Sequence, residues 1–155
     1  KRKWKKCDIF QTKNGRGWGL RAGEDIYVGD LISEYVGEII TVDEAVKRVK
    51  EATESTQNFY IITVDNRTCI DARNMGSTAR FINHSCNPNS IVQKWNVKGE
   101  SRMAIFAVDL IPKGTEITFD YQFETIGEPL PCRCGAENCR KWLGKEKKET
   151  PKEKK

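Results

Sequence analysis

Residues 74–123 read NMGSTARFINHSCNPNSIVQKWNVKGESRMAIFAVDLIPKGTEITFDYQF. An irregular opening, rich in Asn, Ser and Gly, gives way to short runs of β-branched and aromatic residues. The runs are SIVQKWNV, SRMAIFAV and TEITFDYQF; Lys98 with Gly99, and the PKG at 112–114, are the turns between them. Short strands broken by turns point to a β-rich fold. The opening holds Phe81, Ile82 and the chain's single His, His84, in a segment with little regular signal.

The same texture extends upstream. DIFQTKNGRGWGLRAGEDI (8–26) predicts two short strands around a turn at Asn14 and Gly15. Gly15, Gly17 and Gly19 alternate there around Trp18, giving a loop where backbone can approach a ligand closely. The loop lacks both the G-x-G-x-x-G spacing of a dinucleotide site and the Lys-Ser/Thr of a P-loop. LISEYVGEII (31–40) predicts one strand with a bulge at Gly37. One helix is expected, over residues 42–54. Thr41 and Glu44 make a Thr-x-x-Glu capping box, and Val42, Ala45, Val46 and Val49 form one apolar stripe. NFYIITVD (58–65), a turn at Asn66 and RTCIDA (67–72) then return to β-type sequence. The fold class expected is mainly β, a β-rich α+β arrangement of short strands.

The length of 155 residues suits one domain. The net charge of +5 is unevenly placed. Residues 1–6 carry five positive charges and residues 145–155 a net +3, leaving the body between them at −3. A mildly acidic body suits a cationic substrate, and basic ends suit a polyanion. No apolar run approaches the roughly 18 residues of a membrane span. The opening is too charged for a signal peptide, and no repeat of 20–50 residues is visible. These absences predict reduced thiols and an intracellular setting.

Of six cysteines, three cluster toward one end. Cys132, Cys134 and Cys139 form C-x-C-x4-C, three thiols suited to tetrahedral Zn²⁺ with sulfurs roughly 2.3 Å from the metal. A fourth ligand must come from Cys7, Cys69, Cys86 or His84. Cys69 lies in an apolar strand, where a buried thiol is the commoner role, and Cys86 lies in an irregular polar segment. Cys86 is the expected fourth ligand, closing the site as a structural one.

RGWGL (16–20), EYVGE (34–38), ARFINHSCNPN (79–89) and EITFDY (116–121), in this order, resemble the SET domain of protein lysine methyltransferases. CRCGAENC (132–139) resembles that family's post-SET zinc motif. GRGWGLRA, NFYIITVD and VQKWNV are most similar to the histone H3 lysine 36 branch. NHSCNPN and PCRCGAENCR occur also in the lysine 4 branch. In the lysine 36 branch a Cys-rich segment precedes the domain; here Cys7 alone precedes residue 69.

The resemblance implies small sheets, a pseudoknot and few helices. It divides the chain into a basic N-terminal segment (1–7), a SET domain (8–123), a post-SET zinc segment (124–144) and a basic, disordered tail (145–155). It implies S-adenosyl-L-methionine as methyl donor and one structural Zn²⁺ on Cys86, Cys132, Cys134 and Cys139. Arg16, Gly17, Trp18, Asn58, Phe59, Tyr60, Asn83, His84 and Arg133 would bind the cofactor, with His84 an anchor and not a base. Tyr121 would be catalytic. Tyr35, Phe59 and Phe119 would wall the lysine channel, and Phe119, unlike a Tyr there, would leave room for more than one methyl. Residues 122–131 would border the peptide groove as a lid. The substrate implied is a histone H3 tail in nucleosomes, most closely lysine 36, with lysine 4 or another protein lysine as the alternative target. Nucleosomal DNA would bind the basic ends, there would be no membrane association, and the protein would sit in the nucleus on the chromosome. Two other classes compete. A non-catalytic histone-tail module would be expected to lose Tyr121, Asn83 or His84, and a zinc-ribbon nucleic-acid binder leaves NHSC and FDY unexplained.

Overall fold

The computed structural model describes residues 4–52, 60–121 and 130–143. Strands β1 (Cys7–Gln11) and β2 (Trp18–Ala22) pair antiparallel around the expected turn. Strand β3 (Leu31–Tyr35) is followed by β4 (Glu38–Thr41), and helix α1 (Val42–Ala52) by β5 (Ile61–Thr63) and β6 (Thr68–Asp71). A 3₁₀ turn (Thr78–Phe81) leads into β7 (Asn83–His84). Strands β8 (Ser90–Val97) and β9 (Glu100–Ala107) form the longest hairpin, and β10 (Thr118–Phe119), β11 (Leu130–Pro131) and β12 (Trp142–Leu143) complete the order.

These strands make five small sheets. Two are three-stranded and antiparallel, β3–β9–β8 and β4–β6–β5; the others are the pairs β1–β2, β7–β10 and β11–β12. The expected single strand over residues 31–40 is two strands in two different sheets. Tyr35 pairs with Met103 of β9, whereas Glu38 pairs with Asp71 of β6. Gly37 is the crossing point. A Cβ built on it would lie 2.5 Å from the Asp71 carbonyl oxygen, so two backbones touch where only glycine fits.

The helix begins as expected. The Glu44 N–H donates to Thr41 Oγ1 at 3.2 Å. The Glu44 carboxylate accepts instead from Arg48 Nε at 2.8 Å, one turn on. Arg48 also spans to Glu38 at 2.7 Å and to Asp71 at 2.9 Å, which ties α1 to the sheet crossing. Residues 53 and 54, the end of the expected helix, lie outside the described residues. Ala45, Val49 and Ala52 are buried, with Ala45 and Val49 packed on Ile40, Ile61 and Cys69. A larger cluster, including Leu20, Ile26, Ile32, Ile70, Ile105, Ile111 and Ile117, joins residues of several sheets into the main core. No helix among the described residues is long and apolar enough to cross a membrane.

Candidate active site

Strands β7 and β10 run parallel, with Asn83 opposite Thr118 and His84 opposite Phe119. Two residues per strand give few ladder bonds, and the NPNS sequence supplies the remainder. Asn89 accepts the Thr118 N–H at 2.9 Å and donates to the Glu116 carbonyl at 2.8 Å. The Ser90 hydroxyl donates to the Thr118 carbonyl at 2.7 Å. The irregular Asn- and Ser-rich segment is thus a side-chain clasp on β10.

A cleft of about 230 Å³ opens beside this pair. It is lined by Gly15, Arg16 and Trp18 from the glycine loop, Tyr60, Arg80 and Phe81, Asn83 and His84, Tyr121, and residues 130–134 with Leu143. Of the expected cofactor residues, Arg16, Trp18, Tyr60, Asn83, His84 and Arg133 therefore face one space. Gly17 shapes the loop from behind: at φ +77°, its carbonyl accepts the Thr12 N–H at 2.8 Å and the Thr12 hydroxyl at 2.7 Å. Asn58 and Phe59 lie outside the described residues, as do positions 122–129 of the expected lid.

One wall is charged. Arg16 Nη2 donates to Glu116 Oε2 at 2.7 Å, and Asn83 Nδ2 donates to Glu116 Oε1 at 3.0 Å and to the Trp18 carbonyl at 3.1 Å. Asn14 accepts from Arg16 Nε at 2.9 Å and donates to the Arg133 carbonyl at 3.3 Å, joining the glycine loop to the C-terminal segment. Sequence reasoning missed Asn14 and Glu116. Their partners stand as far apart as residues 14 and 133, so no local pattern announces them.

The other wall is aromatic. Tyr60 and Phe81 meet edge to face at 6.1 Å, with the Arg80 guanidinium 4.9 Å from the Phe81 ring centre. Tyr121 stands 5.0 Å from Phe119 and 5.4 Å from the His84 ring. Tyr35 and Phe119 are both 4% exposed and belong to the core against which Tyr121 packs. The Tyr121 hydroxyl donates to the Ile82 carbonyl at 2.6 Å. Burial pushes the hydroxyls of Tyr35 and Tyr121 well above the usual tyrosine range, so both stay protonated.

His84 is lowered by burial, with Asp120 opposing, and is therefore a neutral ring at pH 7. Its Nδ1 accepts the Tyr121 N–H at 3.1 Å, which leaves the ring proton on Nε2, 3.2 Å from Cys86 Sγ. Both nitrogens are committed, so His84 anchors the backbone of Tyr121 beside the cysteine cluster.

Cys86, Cys132, Cys134 and Cys139 gather with all four sulfurs within 4.8 Å of one another. Sulfurs at roughly 2.3 Å from a tetrahedral metal are about 3.8 Å apart, and Cys86 and Cys132 stand at 3.9 Å. The set fits such an ion. Burial pushes Cys132 up to about 12. At Cys134 burial opposes ionisation, but hydrogen bonds involving Cys86 and Ala136 outweigh it, bringing that thiol down to about 6. Cys69 stays away, buried beside Thr63, and burial raises Cys7 to about 11. Arg140 secures the segment independently, gripping Asp120 with two bonds of 2.8 Å and donating its N–H to Cys86 Sγ at 3.4 Å.

A domain of small sheets, with a cleft beside parallel strands and a cysteine cluster clamped to it, is the class defined by the fold and site. The SET domain family model matches residues 17–122, and the chain belongs to that family. A human "Histone-lysine N-methyltransferase, H3 lysine-36 specific" is 44% identical over 153 residues, covering 97% of this chain and 6% of the relative. "Histone-lysine N-methyltransferase ASHH1" of Arabidopsis thaliana is 47% identical over 148 residues, covering 92% of this chain and 30% of that protein. Human "Histone-lysine N-methyltransferase SETD2" is 44% identical over 133 residues, 84% of this chain and 5% of the relative. The chain thus spans between about a twentieth and a third of these relatives.

Proposed function

We propose that the protein is an S-adenosylmethionine-dependent protein-lysine methyltransferase acting on histone H3 lysine 36. One observation carries the reading: Tyr121 faces the same cleft as Arg16, Asn83 and His84, with Phe119 at its side. A nucleoside joined to an amino acid needs both polar and apolar contacts, and the cleft offers an Arg and Asn wall beside aromatic and aliphatic ones. S-adenosylmethionine would supply a methyl already activated on its sulfonium; in-line attack by the amine lone pair would break the S–CH3 bond and release the neutral thioether S-adenosylhomocysteine.

The chain's own task is then placement. Tyr35, Phe119 and Tyr121 form the aromatic surroundings for the lysine head, favourable to an ammonium or methylated amine. The protonated tyrosines orient the amine and do not deprotonate it, and His84, with both nitrogens engaged, does not either. The amine therefore arrives neutral, having lost its proton to water. With its hydroxyl proton directed to Ile82, the Tyr121 oxygen presents acceptor character to polarised C–H groups. Holding donor and acceptor near 3–3.5 Å in line supplies much of the rate.

Zn²⁺ on Cys86, Cys132, Cys134 and Cys139 would be structural, since four thiolates leave no open position. It would fix the segment carrying Leu130, Arg133 and Leu143 over the cleft. A histone H3 substrate would put the protein in the nucleus, on the chromosome. The basic ends, most of which lie outside the described residues, would add contacts to nucleosomal DNA; Lys5 is already paired with Asp30 at 2.7 Å. Methyl transfer to nucleosomes whose H3 carries arginine at position 36 or at position 4 tests the reading. Transfer should vanish with the first and persist with the second. The reverse pattern would reassign the target to lysine 4, and transfer that persists with both variants would refute histone H3 lysine 36 as substrate.

A further inference from the structure

Glu116 belongs to no part of the mechanism above, yet it holds two of the polar side chains that line the cleft, Arg16 and Asn83. Its two carboxylate oxygens take Arg16 at 2.7 Å and Asn83 at 3.0 Å, while the residue itself stands behind them and does not line the cleft. The sequence makes room for it: a Cβ on Gly19 would lie 3.0 Å from Glu116 Oε1. Asn89 fixes its backbone from the far side by donating to its carbonyl at 2.8 Å. The Arg16 side chain is 16% exposed and that of Glu116 22%, so their attraction is only partly screened by water.

We propose that Glu116 is a positioning residue that fixes Arg16 and Asn83 before the cofactor arrives and sets the charge of the cleft to favour the methyl donor over its product. This rests on the methyl-donor reading of the cleft. Two physical effects follow from the geometry. A pre-fixed guanidinium has less rotamer freedom to lose on binding. Charge is the second effect. At neutral pH S-adenosylmethionine carries a sulfonium, an ammonium and one carboxylate, a net positive charge. S-adenosylhomocysteine lacks the sulfonium and is net neutral. An Arg16 without its carboxylate partner would repel the donor and leave the product nearly indifferent. Glu116 therefore lets the cleft admit a cation and release a neutral product.

Calorimetric affinities for both ligands, measured on wild type, Glu116→Ala, Glu116→Gln and Arg16→Met/Glu116→Gln, test this. At an effective permittivity between protein surface and water, one unbalanced charge several ångströms away changes affinity by about 3- to 10-fold. Donor binding should weaken by that factor more than product binding in both single variants. Glutamine keeps an oxygen for Asn83 and nearly the same shape, so the effect should survive where alanine disturbs folding. The double variant should restore the wild-type ratio of the two affinities. Equal weakening of donor and product would make Glu116 merely structural and overturn the proposal, as would no weakening. A wild type that binds neither ligand would instead refute the methyl-donor reading.

Discussion

The Tyr121 hydroxyl is the atom on which the proposed chemistry concentrates, and its surroundings define what its loss should do. It donates to the Ile82 carbonyl at 2.6 Å, and its ring lies between Phe119 and His84. Tyr121→Phe keeps the ring and removes the oxygen. Turnover should fall about 10²-fold or more, while donor affinity by calorimetry should change less than about threefold, as expected for an interaction used mainly in the transition state. The Ile82 carbonyl loses its partner, so a stability loss on the order of 1–3 kcal/mol should accompany the change. Near-normal turnover, or a loss wholly explained by weaker donor binding, would remove Tyr121 from the mechanism. At this scale the sequence was legible in which motif residues come together. Arg16, Asn83, His84 and Tyr121 meet in one cleft as their strings predict. Glu116 was not legible, because its role is a pair of bonds to residues 100 and 33 positions away.

Among the elements, the crossing at Gly37 and the cysteine cluster carry the most consequence. Gly37→Ala would press a methyl onto the Asp71 backbone at 2.5 Å. It should destabilise by roughly 1–3 kcal/mol, the range for forced overpacking, readable as a lower midpoint in urea or heat. An unchanged midpoint would mean that β4 and β6 separate freely. The sequence hid this crossing. Residues 31–40 alternate and branch like one strand, and nothing local says that Tyr35 and Glu38 pair with different partners. Helix α1 was readable because a capping box and a 3.6-residue stripe are local patterns. The cluster was readable too: C-x-C-x4-C supplies three sulfurs, Cys86 was the expected fourth, and all four lie within 4.8 Å of one another. Metal analysis should return one zinc per chain, and Cys134→Ser should reduce it and weaken donor binding, because the segment over the cleft loses its clamp. Folded, active protein without zinc would contradict this account.

Across the whole molecule, charge is the feature that composition alone misreads. The net +5 resides at the ends, with +8 on residues 1–6 and 145–155 against −3 for the body. Lysines that neutralise DNA phosphates release counterions, so nucleosome affinity should fall steeply with salt. Deleting residues 145–155 should flatten that slope and leave turnover on a short H3 peptide nearly unchanged; an identical slope would assign the tail no DNA contact. The family match covers residues 17–122, and the cysteine segment that closes the cleft lies beyond it. On the proposed reading, methyl transfer to histone H3 lysine 36 would draw on both parts together. Tandem mass spectrometry of histone H3 from recombinant nucleosomes, after incubation with this protein and S-adenosylmethionine, tests that claim most directly. The account predicts methyl groups on lysine 36, reaching at least the dimethyl form, since a Phe at position 119 of the proposed channel would leave room that a tyrosine would fill. Histone H3 recovered without added methyl, under conditions where the protein binds S-adenosylmethionine, would contradict it.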